Sequence, residues 1–211
     1  MPNAAADARP ARIAAIVLAA GRSRRFGFAN KLLAPLGGEP LWWRTLDATY
    51  GSRARPIVVV LGHQQRALRL SLLRYRRARG VPAPRCVVNR RYRDGMAGSL
   101  QAALAVLPAR IDGALICLGD MPDTQREILE RLRLAYRRGD DAVRPTAAGG
   151  RRGNPALLGR PLFAAAQREL RGDEGARRLI AGAARVRDVP VGRAALHDVD
   201  TRRDWRRRLR G

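Results

Sequence analysis

The chain has 211 residues, enough for one domain with a substantial core. Its 42 Lys+Arg against 18 Asp+Glu give a formal charge of +24, yet the arginines run through the whole chain and aromatics are only 5%. A dedicated nucleic-acid face built on base stacking is therefore not expected, although the field attracts anionic substrates. No apolar run approaches the about 18 residues of a membrane span, so no membrane association is expected.

Residues 1–11, rich in Ala and Pro, read as a flexible lead-in without the apolar core of a secretory signal, which points to the cytoplasm. Ile13–Leu18 is an apolar run with a β-branched centre, a buried first strand ended by Ala19-Ala20-Gly21. Residues 21–40 form a loop broken by Gly21, Gly27, Pro35, Gly37, Gly38 and Pro40. A helix is expected over Leu41–Tyr50, and Pro56–Leu61 is the clearest strand of the chain. A second helix follows over Gln64–Arg77, with Leu68, Leu72 and Tyr75 inward, and then a short strand over Arg85–Val88. Asn89–Gly98 is a second loop, and Ser99–Leu107 is helical up to Pro108.

Gly113–Leu118 is another buried strand, ended by Gly119-Asp120-Met121-Pro122. Thr124-Gln125-Arg126-Glu127 has the spacing of a capping box and is expected to start a helix reaching Arg138. Ala142–Thr146 reads as a strand, 147–153 as a Gly/Arg loop and Pro155–Leu158 as a short strand. Helices are expected near 161–171 and 173–182, strands at Val186–Val189 and Leu196–Val199, and a last helix from Thr201. Cys86 and Cys117 sit in apolar runs and read as packing thiols of a reducing compartment. Strands alternate with helices at least four times, which predicts an α/β fold with a mostly parallel sheet and helices on both faces. Ligands of such sheets bind at the carboxyl ends of the strands, which gathers the loops at 19–31, 89–98 and 119–123 on one rim, with 197–201 a further candidate.

That rim carries chemistry. Lys31 is the one lysine of the chain; every other basic side chain is arginine. A compact ammonium in a Gly- and Arg-rich loop after the first strand suits a phosphate gripped at close quarters, with Gly21, Ser23 and Arg25 beside it. The loop is neither a Walker A sequence nor a dinucleotide fingerprint, since Gly-Lys-Ser/Thr and Gly-x-Gly-x-x-Gly are both absent. Asp120 ends a strand at the same rim, and Asp198 and Asp200 alternate in HDVD. A polyphosphate site calls for Mg²⁺ held by one or two carboxylates, and Asp120 with Asp200 supplies such a pair. On pattern alone Asp120 also serves as a turn residue before Pro122, and Asp200 as an N-cap of the last helix. His63 and His197 have no zinc spacing.

LAAGRSRRFGFANKLLAPLGGEPL resembles the signature loop of the MobA-like nucleotidyltransferases, and its LAAG and NKLL forms resemble the molybdenum cofactor cytidylyltransferase branch. GMAGSL, LGDMP, GRRGNPALL, GDEGARRLI and DVDTRRD resemble further segments of that branch in the same order, so the likeness spans residues 12–205. The resemblance implies a three-layer α/β/α Rossmann-like nucleotidyltransferase fold in a single domain over 12–211. It implies Mg²⁺-dependent transfer of CMP from CTP to molybdopterin with release of pyrophosphate. Lys31, Arg25 and Asp120 would then be catalytic. Leu18, Ala19, Ala20, Gly21, Ser23, Arg25, Lys31 and Ser99 would bind the nucleotide, and Asp120 and Asp200 the metal. Asn154, Asp173 and Arg177 would line the acceptor side. A molybdenum hydroxylase or its maturation factor would be the downstream partner. The chain departs from the branch at Ala97-Gly98, where two serines are usual, at Leu158 in place of Phe, and at Arg202-Arg203 in place of Pro-Glu. Rival readings are a relative using GTP or a sugar or alcohol phosphate, a non-catalytic cofactor-delivery protein of the same fold, and a basic nucleic-acid binder.

Overall fold

The computed structural model of the chain describes residues 9–27, 30–192 and 198–209. Among the described residues ten strands and seven α-helices alternate: β1 (Ile13–Ala19), the short hairpin β2 (Pro35–Leu36) and β3 (Glu39–Pro40), α1 (Trp42–Gly51), β4 (Ile57–Leu61), α2 (Gln65–Arg79), β5 (Arg85–Val88), α3 (Ala97–Ala105) and β6 (Gly113–Leu118). They continue with α4 (Arg126–Ala135), β7 (Ala142–Ala147), β8 (Arg151–Arg152), β9 (Ala156–Gly159), α5 (Phe163–Glu169), α6 (Ala176–Ala181), β10 (Val186–Pro190) and α7 (Arg202–Leu209). The main sheet runs in the order β10-β7-β9-β6-β1-β4-β5, with β8 paired to β7. β1, β4, β5 and β6 are parallel neighbours, which fixes Ala19, Leu61, Val88 and Leu118 at one rim.

The three layers follow from the alternation of side chains along β1, whose residues are all buried. Ile13, Ala15, Val17 and Ala19 face one cluster with Trp42, Leu46, Leu68, Leu72, Tyr75, Ile128, Leu129 and Leu132 of α1, α2 and α4. Ala14, Ile16, Leu18 and Ala20 face a second cluster with Leu100 and Leu104 of α3, Ala166 of α5 and Leu179 and Ile180 of α6. A strand covered on both sides has no polar face, which is why β1, β4 and β6 read as continuous apolar runs. Each fully buried Leu, Ile or Val here stabilises the fold by about 1.5–3 kcal/mol. The mostly parallel, doubly covered sheet expected from the sequence is the fold observed.

Local departures have identifiable causes. α4 starts at Arg126 with Gln125 as its N-cap and no side-chain cap, so the expected capping box is not formed. The Thr124 amide instead closes a turn onto the Met121 carbonyl at 3.1 Å, and its hydroxyl is buried without a partner. α4 also ends at Ala135, short of Arg138. β9 runs antiparallel to both β6 and β7, and the Gly/Arg loop before it contains the two-residue strand β8. Residues 196 and 197 of the expected strand over 196–199 lie outside the described residues, and residues 198–200 are irregular rather than a strand. No described helix is long and apolar enough to cross a membrane.

Candidate active site

The loop after β1 is shaped by its own side chains. Ser23 takes a left-handed backbone conformation (φ 52°) and precedes a 3₁₀ turn over Arg24–Phe26. The buried Asn30 caps a second 3₁₀ turn, Lys31–Leu33, its Oδ1 accepting from the Leu32 amide at 3.1 Å. The Lys31 amide donates to Ser23 Oγ at 3.2 Å, so the two turns close on each other and set Lys31 at the rim.

Asp120 reaches the same point from the end of β6. The Gly119 amide donates to the Leu18 carbonyl at 3.0 Å, continuing the β1–β6 ladder one residue past the strand. Asp200 arrives from the far end of the chain, and a chain of contacts holds it there. The Val199 amide donates to the Asp120 carbonyl at 2.9 Å, and Val199 is buried with Phe26, Leu36 and Leu41. Trp205 of α7 stacks edge-on with Phe26 at 6.1 Å and donates from Nε1 to the Pro35 carbonyl at 2.9 Å. Arg202 Nε donates to the Phe26 carbonyl at 3.0 Å, and Arg208 pairs with Asp123. Thr201, not Asp200, caps α7. Its hydroxyl accepts from the Asp204 amide at 3.2 Å, while the Asp204 carboxylate accepts from the Thr201 amide at 2.9 Å. The capping role is thus filled, and the Asp200 carboxylate points into the site.

There Lys31 Nζ lies 2.5 Å from Asp120 Oδ2 and 2.9 Å from Asp200 Oδ1. Arg25 takes the second oxygen of Asp200 at 2.9 Å, from a side chain that is 78% exposed. Burial works to lower the Lys31 pKa, but the charge and hydrogen bond of Asp120 and then Asp200 outweigh it, and the net shift is upward. At Asp200 burial works upward, but Lys31 and Arg25 prevail and hold the carboxyl below the usual range. Asp198 is an exposed residue whose carboxyl is shifted upward by desolvation, then by the charges of Asp200 and Asp120.

A cleft opens beside Lys31 and Asp120. It is lined by Leu18, Ala19, Ala20, Gly21 and Ser23 from the first loop, by Ser99 of α3, and by Asp173. The sequence grouped Asp173 with Asn154 and Arg177, but the structure separates them. Asn154 and Arg177 line a second cavity with Arg144 and Arg152. Asp173 is brought to the first cleft by the backbone contact of Gly95 with Gly172, supported by an Ala97 amide to Gly172 carbonyl bond of 3.0 Å. Tyr92, Arg93, Gly95 and Met96 also line this cleft and were not singled out from the sequence. Their signal was position alone, in the loop after β5 at the carboxyl rim. Behind them the buried Asn89 accepts from the Arg91 amide and donates to Ser99 Oγ, both at 2.9 Å, which fixes the hydroxyl at the cleft wall.

The donor set suits a hard divalent cation. It offers carboxylate oxygens without sulfur or imidazole, and among the described residues no group of three or more His, Cys, Asp or Glu gathers to complete a shell. Two carboxylates at one point leave the remaining positions to water and substrate oxygens, the arrangement Mg²⁺ favours.

The model of the MobA-like NTP transferase domain matches residues 15–189. The bifunctional protein GlmU of Kineococcus radiotolerans is 37% identical over 132 residues, 62% of this chain and 26% of that protein. The chain thus spans about a quarter of the length of that curated relative. The crystal structure of Rv0371c from Mycobacterium tuberculosis superposes with a TM-score of 0.83 at 29% identity, covering 96% of this chain and 100% of the other. A second structure of Rv0371c, in complex with manganese, gives 0.79 at 28% identity, over 95% and 99% of the two chains. The fold is shared with molybdopterin-guanine dinucleotide biosynthesis protein A of Archaeoglobus fulgidus, at a TM-score of 0.66 and 20% identity over 93% and 96%.

Proposed function

The chain belongs to the MobA-like NTP transferase family and is a nucleotidyltransferase, and from that premise we propose that it transfers CMP from CTP to molybdopterin. The observation that carries this reading is the meeting of Lys31, Asp120 and Asp200, from three distant parts of the chain, at the mouth of the rim cleft. The cytidine and the acceptor rest on the LAAG, NKLL and GMAGSL segments and their likeness to the cytidylyltransferase branch.

In this reading the terminal phosphate of molybdopterin forms a bond to the α-phosphorus of CTP, and the α–β bond breaks to release pyrophosphate. A phosphate nucleophile needs no general base, so the protein contributes position and charge. The first loop from Leu18 to Ser23, with Ser99 opposite, receives the nucleotide. Lys31 and Arg25 neutralise the triphosphate and the charge that grows on the departing pyrophosphate. Asp120 and Asp200 would hold Mg²⁺, which would supply Lewis-acid stabilisation of charge on the phosphate oxygens. Asp173 lines the cleft that receives the nucleotide. The cavity holding Asn154 and Arg177 receives the acceptor, and the guanidinium groups of Arg144, Arg152 and Arg177 suit an anionic one. The manganese in the Rv0371c complex supports a divalent cation for this chain too.

A second reading keeps the reaction and changes the substrates, to GTP or to another phosphorylated acceptor. Ala97-Gly98, in place of two serines between Met96 and Ser99 of the cleft wall, is the feature that favours it. Pyrophosphate release measured with each nucleotide against each acceptor separates the two. The first reading predicts release with CTP and molybdopterin, and release only with GTP or only with a sugar phosphate contradicts it.

A further inference from the structure

Lys31 occupies the space between two carboxylates that a shared divalent cation needs. Its ammonium is 2.5 Å from Asp120 and 2.9 Å from Asp200, with only 12% of the side chain exposed. Arg25 takes the other oxygen of Asp200. Lys31 and Arg25 therefore pair with Asp120 and Asp200 within the protein itself, with the Asp198 carboxyl close enough to feel their charges. The same four side chains have other duties in the reading above, where the carboxylates serve the metal and the cations serve the triphosphate. Lys31 cannot do both at once.

We propose that Lys31 is an internal counter-ion that keeps divalent metal from Asp120 and Asp200 until a triphosphate draws the ammonium away. This rests on the assignment of the carboxylates to the metal and of Lys31 to the triphosphate. A bare divalent cation entering the site must displace a buried ammonium and leave it unpaired, which is costly. A metal–triphosphate complex is a net anion. It offers Lys31 and Arg25 phosphate oxygens in the same step in which it offers the carboxylates a cation, so every charge exchanges one partner for another. Arg25 is exposed and moves cheaply, which leaves Lys31 as the group that sets the coupling. Metal and nucleotide then bind as a unit, with a coupling free energy that each exerts equally on the other.

The sign of one measurement separates this from a lysine that merely supports the carboxylates. Mn²⁺ binding to the full chain is followed by water-proton relaxation, which distinguishes protein-bound metal from metal held by polyphosphate in solution. Lys31→Met, a neutral side chain of similar length, is expected to bind Mn²⁺ alone about 10-fold more tightly than the wild type. Adding Asp200→Asn to Lys31→Met is expected to remove that gain. In the wild type, inorganic tripolyphosphate is expected to tighten Mn²⁺ binding at the protein about 10-fold or more, and Lys31→Met to lose most of that coupling. Unchanged or weaker Mn²⁺ binding by a folded Lys31→Met overturns the proposal. If the variant does not fold, the wild type decides, because equal Mn²⁺ affinity with and without tripolyphosphate overturns it as well. Tripolyphosphate carries no base. Coupling with it but no binding of a non-hydrolysable CTP analogue would uphold the counter-ion and reject the cytidine. Binding of that analogue without coupling would do the reverse.

Discussion

Gly95 offers a direct test of how the cleft is built. Its φ is +111°, and a Cβ placed on it would lie 2.1 Å from the carbonyl carbon and oxygen of Gly172 and 2.5 Å from the amide nitrogen of Asp173. These are backbone atoms, so no side-chain rotation relieves the clash. Gly95→Ala adds a conformational cost of about 1–3 kcal/mol for the positive φ and about 1–3 kcal/mol for overpacking. A central value of about 4 kcal/mol lowers Tm by about 8–16 °C in a domain of this size. Gly150→Ala is the control. Gly150 also has positive φ (+72°) but meets nothing within 4 Å, so it carries only the backbone cost, about 1–2 kcal/mol. Thermal unfolding of both variants gives the difference due to close approach. Because the same contact brings Asp173 to the wall shared with Met96 and Ser99, Gly95→Ala is also expected to raise the KM for nucleotide. A Gly95→Ala protein within about 1 °C of the Gly150→Ala protein, with unchanged KM, would show that the two loops are not packed together.

Four further outcomes follow from single sites. Lys31→Ala is expected to cut turnover by about 10²-fold or more in steady-state assays, as loss of a preorganised transition-state contact does, and Asp120→Ala to abolish the metal-dependent rate. Wild-type turnover by either would remove that residue from the site. Ser71→Ala leaves two buried indole N–H groups, of Trp42 and Trp43, without the hydroxyl oxygen that accepts both at 3.0 Å. At about 1–3 kcal/mol for each orphaned donor, denaturant unfolding should show a loss of about 2–6 kcal/mol, and a loss near zero would mean water replaces the hydroxyl. Burial pushes the Cys117 thiol up to about 12. An acid whose folded pKa lies above its unfolded value loses stability as pH rises through the unfolded value, so stability should fall from about pH 8.5 upward. A Cys117→Ala variant should lose that part of the alkaline slope, and an identical slope in both proteins would contradict the burial of the thiol.

What the sequence revealed follows from which forces are local. β1, β4 and β6 were legible because burial on both faces writes an uninterrupted apolar run into the strand itself. The reversed direction of β9 was not, since four residues such as Ala156–Gly159 carry no mark of which way they run. The failed capping box shows the same limit, because Thr124 has the right spacing but is committed to a turn with Met121. At the site, Lys31, Asp120 and Asp200 were legible as residue types at strand ends. What the sequence could not give was their contact, which depends on Val199, Trp205 and Arg202 clamping the C-terminal segment onto the first loop across more than 160 positions. It likewise set Asp173 beside Asn154 and Arg177, because the Gly95–Gly172 approach that divides them is a backbone contact without a sequence period.

Incubation of the protein with labelled CTP or GTP, Mg²⁺ and molybdenum-loaded molybdopterin, with the dinucleotide product identified directly, tests the central claim most directly. The account predicts a cytosine dinucleotide together with pyrophosphate, formed by the wild type and lost in Asp120→Ala. A guanine dinucleotide, or no dinucleotide from a protein that binds Mg²⁺ and CTP, would contradict it.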